Sequence, residues 1–422
     1  MTTLIYRQRK NLLFYIWLLS LIFFIFNCIL VIASVFYGIG SLGMVKILLG
    51  GAATGGLFVL FFSQNLFFLK KDDAMLILLI LSLFAVTLVQ VLTYPNLIDE
   101  QGRGSHSYII GSTVYNISYI LLGYVFVSRG GIKHSNKLSV VLQSLILLLI
   151  LNNLNGNLVV DYQSLQDNIS YKEISANHLL AGPYFYVLLI FSYSLAYGKW
   201  KIINFALSVM ILFALGGRAD LALFVLSVFF CELLKGISIP RVLFFLLISL
   251  PFFIIIFCMA YIIPSSNLAE NNPLVQRMLL SGGMSSDASW SERIELLYMG
   301  LEGLKEQLAV GDVSYLIESR GGLGFYIHNI LSVWQFYGFF VFVLIVCMLI
   351  QGFFRIKFLA KHTSGTMSTF LILMFLSTIL GLIFAKSVTY VILWISIGCV
   401  WGRYYSCLKD TSITSQNLVI AK

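Results

Sequence analysis

The chain has 422 residues, of which 59% are hydrophobic and 11% charged; its formal net charge is +9 and its mean hydropathy +0.93. That balance excludes a soluble globular domain, because apolar runs near the ~20 residues needed to cross a bilayer recur along its whole length. The polar breaks between them are too short for a second domain. Residues 1–422 are therefore expected to form one polytopic, all-α integral membrane domain.

Basic residues precede a first hydrophobic stretch, Leu12 to Tyr37, that is too long for a signal-peptide core and has no small-residue cleavage site. It reads as a retained span with a cytoplasmic N-terminus. Twelve spans follow from hydropathy, at about 12–37, 47–69, 75–94, 108–128, 139–154, 179–197, 202–216, 220–234, 242–263, 329–350, 367–385 and 388–402. With these boundaries, 18 of the 27 Lys and Arg residues fall on one side, and 14 of the 18 Asp and Glu residues on the other. The basic side holds, among others, Arg7, Arg9, Lys70, Lys71, Lys199, Lys201, Arg355, Lys357 and Lys361. By the positive-inside rule both termini are cytoplasmic. The basic excess thus encodes orientation and is no nucleic-acid footprint. In a bacterium, the opposite face would be periplasmic and the membrane the inner one.

The six cysteines lie in apolar runs or near the C-terminal end and form no CxxC pair, so neither a disulfide framework nor a thiolate metal site is expected. Gly216-Gly217-Arg218-Ala219-Asp220 interrupts the stretch 202–234. The glycines release the helix restriction, and a hairpin with its tip near the outer surface keeps the later basic clusters inside.

Three outer loops are sizeable: about 95–107, about 155–178, and the largest, 264–328. Within the largest, Ser289-x-x-Glu292 reads as a capping box. It opens an amphipathic helix whose stripe is Ile294, Leu297, Leu301, Leu304 and Leu308, suited to lying on the membrane.

Arg218, Arg293 and His328 all fall on the outer side beside the hydrocarbon boundary. An Arg at membrane depth costs about 2.5–3.5 kcal/mol, so it needs a partner or a task. Two guanidinium forks could grip a lipid-bound pyrophosphate, and an imidazole could take a proton from a sugar hydroxyl. Each has a plainer reading: Arg218 as a partner of Asp220, Arg293 as a partner of Glu292 or Glu295, and His328 as an interfacial polar residue. Arg320, in Ser-Arg-Gly-Gly, is either part of a flexible turn or a substrate contact, and Asn177 is a further candidate contact in the second loop. The Gly321–Gly324 run lacks the Gly-Lys-Ser/Thr ending of a nucleotide phosphate loop.

Gly311-Asp312, Ser319 to Gly324 and His328-Asn329, followed by Leu331, Trp334, Tyr337 and Gly338, together resemble the loop-to-helix motif of the bacterial O-antigen polymerase and O-antigen ligase superfamily. Gly216-Gly217-Arg218 resembles that family's first essential arginine, and Ser289 to Arg293 the stretch that carries its second. The resemblance implies a GT-C-like, metal-independent, inverting glycosyltransferase that needs no cofactor. Its donor would be an oligosaccharide on undecaprenyl diphosphate, entering from the membrane lipid. Arg218 and Arg293 would hold the diphosphate, His328 would act on the acceptor hydroxyl, and Arg320, Asn329 and Asn177 would contact substrate. The first outer loop, Gly38 to Val45, holds no carboxylate of the kind metal-dependent GT-C enzymes place there.

A polymerase passes the chain to the nonreducing end of another lipid-linked repeat unit, and a ligase passes it to lipid A–core. The wealth of Phe (35) and Tyr (22) favours the polymerase, which would meet a separate chain-length regulator. A lipid-linked oligosaccharide flippase is the reading from another class. It calls for pseudo-symmetric halves, and a single large outer loop breaks such symmetry.

Overall fold

The computed structural model describes residues 74–100, 102–127, 133–154, 178–236, 288–306, 309–323, 325–362, 365–384 and 386–404, together with Ile32, Phe36 and Val160. The described part is all-helical, with a lone bridge between Ile98 and Gly104 in place of any strand. Its helices are α1 (Ala74–Thr93), α2 (Ser105–Val127), α3 (Asn136–Leu151), α4 (His178–Leu195), α5 (Lys199–Ala214) and α6 (Arg218–Leu234). After these come α7 (Ala288–Glu306), α8 (Ser314–Arg320), α9 (Leu331–His362), α10 (Thr366–Phe384) and α11 (Val391–Tyr404). Four of them, α1, α2, α9 and α10, are long and apolar enough to cross a membrane, and α3, α11 and most of α4 are shorter apolar helices. The chain is in this sense a membrane protein. The spans expected at 47–69 and 242–263 lie outside the described residues, as does nearly all of 12–37.

Apolar side chains gain little by leaving lipid for a protein core, so buried polar pairs and close backbone contacts must hold such helices together. Both occur here. Asn204 of α5 donates through Nδ2 to Ser139 of α3 (2.7 Å) and Ser192 of α4 (2.8 Å). Ser377 of α10 bonds Tyr186 of α4 (2.7 Å) and donates to Ser227 of α6 (2.9 Å). Tyr337 of α9 accepts from Asn116 (2.9 Å) and Thr113 (3.2 Å) of α2. Where α2 meets α11, a Cβ at Gly123 would lie 2.2 Å from the Ile395 carbonyl oxygen, one at Gly398 1.9 Å from that of Ile120, and one at Gly402 2.3 Å from that of Tyr124. Gly398-x-x-x-Gly402 is thus a small-residue seam that lets two backbones touch.

Helix α9 is bent at Gly338 (φ 76°, ψ 174°), a conformation open to glycine. A kink frees carbonyls from the helical ladder, and an apolar surrounding penalises any left unpaired. Here Asp312 N donates to Gln335 O (3.1 Å), and Gln90 Nε2 of α1 donates to both Phe336 O (2.5 Å) and Val310 O (3.0 Å). The loop before α8 fits into the bend. Gly311 (φ 71°) would bring a Cβ within 2.7 Å of Gln335 O and Gly338 N, and Gly338 one within 2.2 Å of Ala309 O. Beyond the bend α9 continues to His362, past the boundary expected at 350. Arg355, expected in a loop, is buried on that extension with its guanidinium 4.2 Å from the Trp401 ring centre and 4.7 Å from that of Tyr404.

The connections gather at two ends of the bundle. At one, Ser314 Oγ donates to Pro95 O (3.1 Å), Glu100 N to Gly321 O (3.3 Å), Val160 N to Ala214 O (2.8 Å) and Ile330 N to Leu382 O (2.8 Å). At the other, Ser135 N donates to Leu195 O (3.0 Å), Lys201 pairs with Glu232, Lys235 bonds Thr369, and Thr366 bonds His134 (3.1 Å). Loops 95–105, 215–217, 309–330 and 386–390 thus lie together, and so do 133–135, 196–198, 235–236 and the turn before Thr366.

Candidate active site

The first of these ends carries the polar residues. Helix α6 opens at Arg218, after Gly216 (φ 74°) and Gly217, so the glycine pair makes the expected hairpin turn between α5 and α6. Only the backbone of Arg218 is described, at the first position of α6. Two residues on, Asp220 is buried (4% exposed side chain), and its Oδ1 lies 2.6 Å from Lys386 Nζ. Glycine on α4 makes room for this carboxylate: a Cβ at Gly182 would stand 2.7 Å from Asp220 Oδ2.

His328 lies on the connection from α8 to α9. Gly321 (φ 71°) terminates α8 with a left-handed cap. The chain then runs to Ile327, whose N–H donates to Gln335 Oε1 (3.1 Å). Asn329 Oδ1 accepts from Leu331 N (2.8 Å), a cap at the start of α9, and its carbonyl accepts from Ser332 Oγ (2.7 Å). Ser332 Oγ in turn accepts from Val388 N (2.7 Å), and Tyr326 bonds Thr389 (2.9 Å), so the loop after α10 is clamped against the His328 loop. The rings of Tyr326 and His328 lie 5.6 Å apart. His328 is half-buried, and its pKa is pushed from 6.5 down to about 4, by burial first and then by the positive charges of Arg293 and Lys386.

Arg293 reaches this place from α7. That helix begins at Ala288, so Ser289 stands inside its first turn and not at the expected cap. The buried stripe is also turned from the expected one. Leu296, Gly300, Gly303 and Leu304 face the protein, with Gly300 against Ile327 and Gly303 against Tyr315, while Ile294, Tyr298 and Leu301 are exposed. Glycine lets the helix approach closely but carries no hydrophobic signal, so periodicity does not reveal this protein-facing side. Leu308 lies outside the described residues.

Arg320 turns toward α7: its Nη2 is 2.5 Å from Glu295 Oε1 and its Nε 3.2 Å from Met299 Sδ. Glu295 pairs with Arg320, and Asp220 with Lys386, while the side chain of Arg218 lies outside the described residues. The cap occupies the side-chain oxygen of Asn329 and leaves its amide NH2 as the group it could offer. Asn177 lies outside the described residues. Asp312 is buried, accepts from Ser314 N (2.7 Å), and has its pKa raised, burial outweighing that bond. Its place is the seat of the α9 kink. Lys386 and Tyr326 are the members sequence reasoning missed; a single lysine between two apolar runs reads as a boundary charge. Among the described residues no three of His, Cys, Asp and Glu gather as metal ligands.

The chain matches no protein-family model and no curated protein. The His328 loop, the Asp220–Lys386 ion pair and the start of α6 thus lie at one end of the bundle, with α7 packed on Ile327 through Gly300.

Proposed function

We propose that the protein is a glycosyltransferase of the inner membrane that acts on a glycan carried by undecaprenyl diphosphate, as an O-antigen polymerase does. The loop end of the bundle bearing His328 would face the periplasm. The observation that carries this reading is the packing of the His328 loop against the loop of Lys386, which pairs with Asp220 at the helix start that bears Arg218, with α7, the helix of Arg293, seated on Ile327. The diphosphate would sit among these cations. The acceptor hydroxyl oxygen then bonds to the anomeric carbon from the face opposite the donor oxygen. The carbon–oxygen bond to the diphosphate breaks, its electron pair leaves on the diphosphate, and the hydroxyl proton passes to His328. Preorganised positive charge stabilises the departing anion. Burial first, and then the two cations, hold the imidazole pKa down, and a bound diphosphate would offset the cations' share of that shift.

The test is the lipopolysaccharide gel profile of a deletion strain complemented with wild type or His328→Ala. A polymerase predicts core bearing a single repeat unit when the gene or His328 is lost. Core without any repeat, with lipid-linked polymer accumulating, would instead assign the ligase reaction. Loss of all export of lipid-linked repeat units would assign a flippase, and an unchanged ladder in the deletion would overturn all three.

A further inference from the structure

Lys386 is fixed in place on several sides. Its N–H donates to Gly381 O (2.7 Å), and its Nζ lies 2.6 Å from Asp220 Oδ1 and 5.4 Å from the centre of the Tyr390 ring. Gly381 leaves space for the stem, since a Cβ there would stand 3.2 Å from Lys386 Cγ. The side chain is 13% exposed. A lysine serving only as a boundary charge would extend its ammonium into water, whereas this one is drawn inward to a carboxylate. An ion pair so buried is on average no more stabilising than an apolar pair of the same size. Fold stability alone therefore gives no reason for it.

Asp220 lies in the first turn of α6, where the helix N-terminus favours its negative charge with or without the lysine. The helix end therefore offsets part of the cost when the ammonium moves away. On the other side, Val388 N donates to Ser332 Oγ (2.7 Å) and Thr389 bonds Tyr326 (2.9 Å), so the loop that carries Lys386 packs against the His328 loop.

We infer that Lys386 is a third cationic ligand for the phosphate groups of a prenyl diphosphate at this site, and that Asp220 is its counter-ion while the site is empty. The inference rests on the donor class proposed above. Phosphate oxygens entering between Arg293 and Lys386 compete with Asp220 for the ammonium, so the carboxylate sets how readily the site accepts an anion. Removing Asp220 should then strengthen anion binding, an effect that a purely structural ion pair would not produce.

The test titrates farnesyl diphosphate and inorganic pyrophosphate into the purified full-length protein in detergent, for wild type, K386Q, K386R, D220N and D220N/K386Q. Loss of a charge-assisted phosphate bond predicts that K386Q weakens farnesyl diphosphate binding roughly tenfold or more, and that K386R retains most of it. D220N should bind more tightly than wild type. The double variant, which strands no charge, should bind as weakly as K386Q. K386Q or the double variant binding as well as wild type would overturn the inference, as would a folded D220N that binds no more tightly. Pyrophosphate binding as tightly as farnesyl diphosphate would overturn the lipid source of the ligand. If wild type binds neither probe, the donor class itself fails, and that outcome differs from a defect confined to Lys386.

Discussion

At the scale of single residues, His328 makes the sharpest statement about pH. Its folded pKa near 4 lies below its ordinary 6.5, so on acidification the unfolded chain takes up the proton first. Its contribution to stability is therefore complete above about pH 6.5, falls as pH drops toward about 4, and changes no further below that. Nitrogen-15 spectra of histidine-labelled protein, assigned with His328→Gln, should show this imidazole titrating near pH 4. In Arg293→Gln its midpoint should move up toward 6.5; a midpoint already there in wild type would remove the cations from its surroundings. Gln90 permits a second test. Replacing it with Leu leaves the carbonyls of Val310 and Phe336 without the amide, at about 1–3 kcal/mol for each buried group left unpaired. The thermal unfolding midpoint in detergent should fall accordingly. His328 and Arg293 are recognisable in the sequence because a charged group next to an apolar run is costly. Gln90 and Lys386 are not, since their importance comes from partners 246 and 166 positions away.

At the scale of helices, glycine does work that periodicity cannot register. Gly398→Leu forces a side chain into a space where even a Cβ would lie 1.9 Å from the Ile120 carbonyl oxygen, so α2 and α11 must separate. Substitution at the exposed Ile110 should cost far less. A Gly398→Leu protein as heat-stable as Ile110→Ala would show that the seam does not hold the pair. The α9 bend belongs to this scale as well. The sequence marks Gly338 as a glycine two turns into the helix, but only the fold shows that the 309–312 loop fills the bend. On α7 the protein-facing side includes Gly300 and Gly303, whose contacts with Ile327 and Tyr315 depend on closeness and not on hydrophobicity.

At the scale of the whole molecule, alternate connections collect at opposite ends of the bundle, and the positive-inside rule makes a testable prediction of which side each end faces. In a cysteine-free background, a membrane-impermeant maleimide applied to cells with a permeabilised outer membrane should label Glu318→Cys, which is exposed at the His328 end. It should label Lys361→Cys, exposed on the opposite end, only after lysis. The reverse pattern would place the site in the cytoplasm and remove the periplasmic donor from consideration.

Composition and charge alone were enough to define an all-helical membrane protein, to locate nine of its helices to within a few residues at most ends, and to single out the polar end of the bundle. These follow from local quantities: run length, hydropathy, and the cost of a charge in lipid. The tertiary structure decided what depends on distant partners. It gave Asp220 to Lys386 and Glu295 to Arg320, committed the Asn329 oxygen to a helix cap, and carried α9 twelve residues beyond its apolar run because Arg355 finds Trp401 and Tyr404 to stack on. A carboxylate's choice of cation depends on which helices pack together, and no local pattern in the chain encodes it.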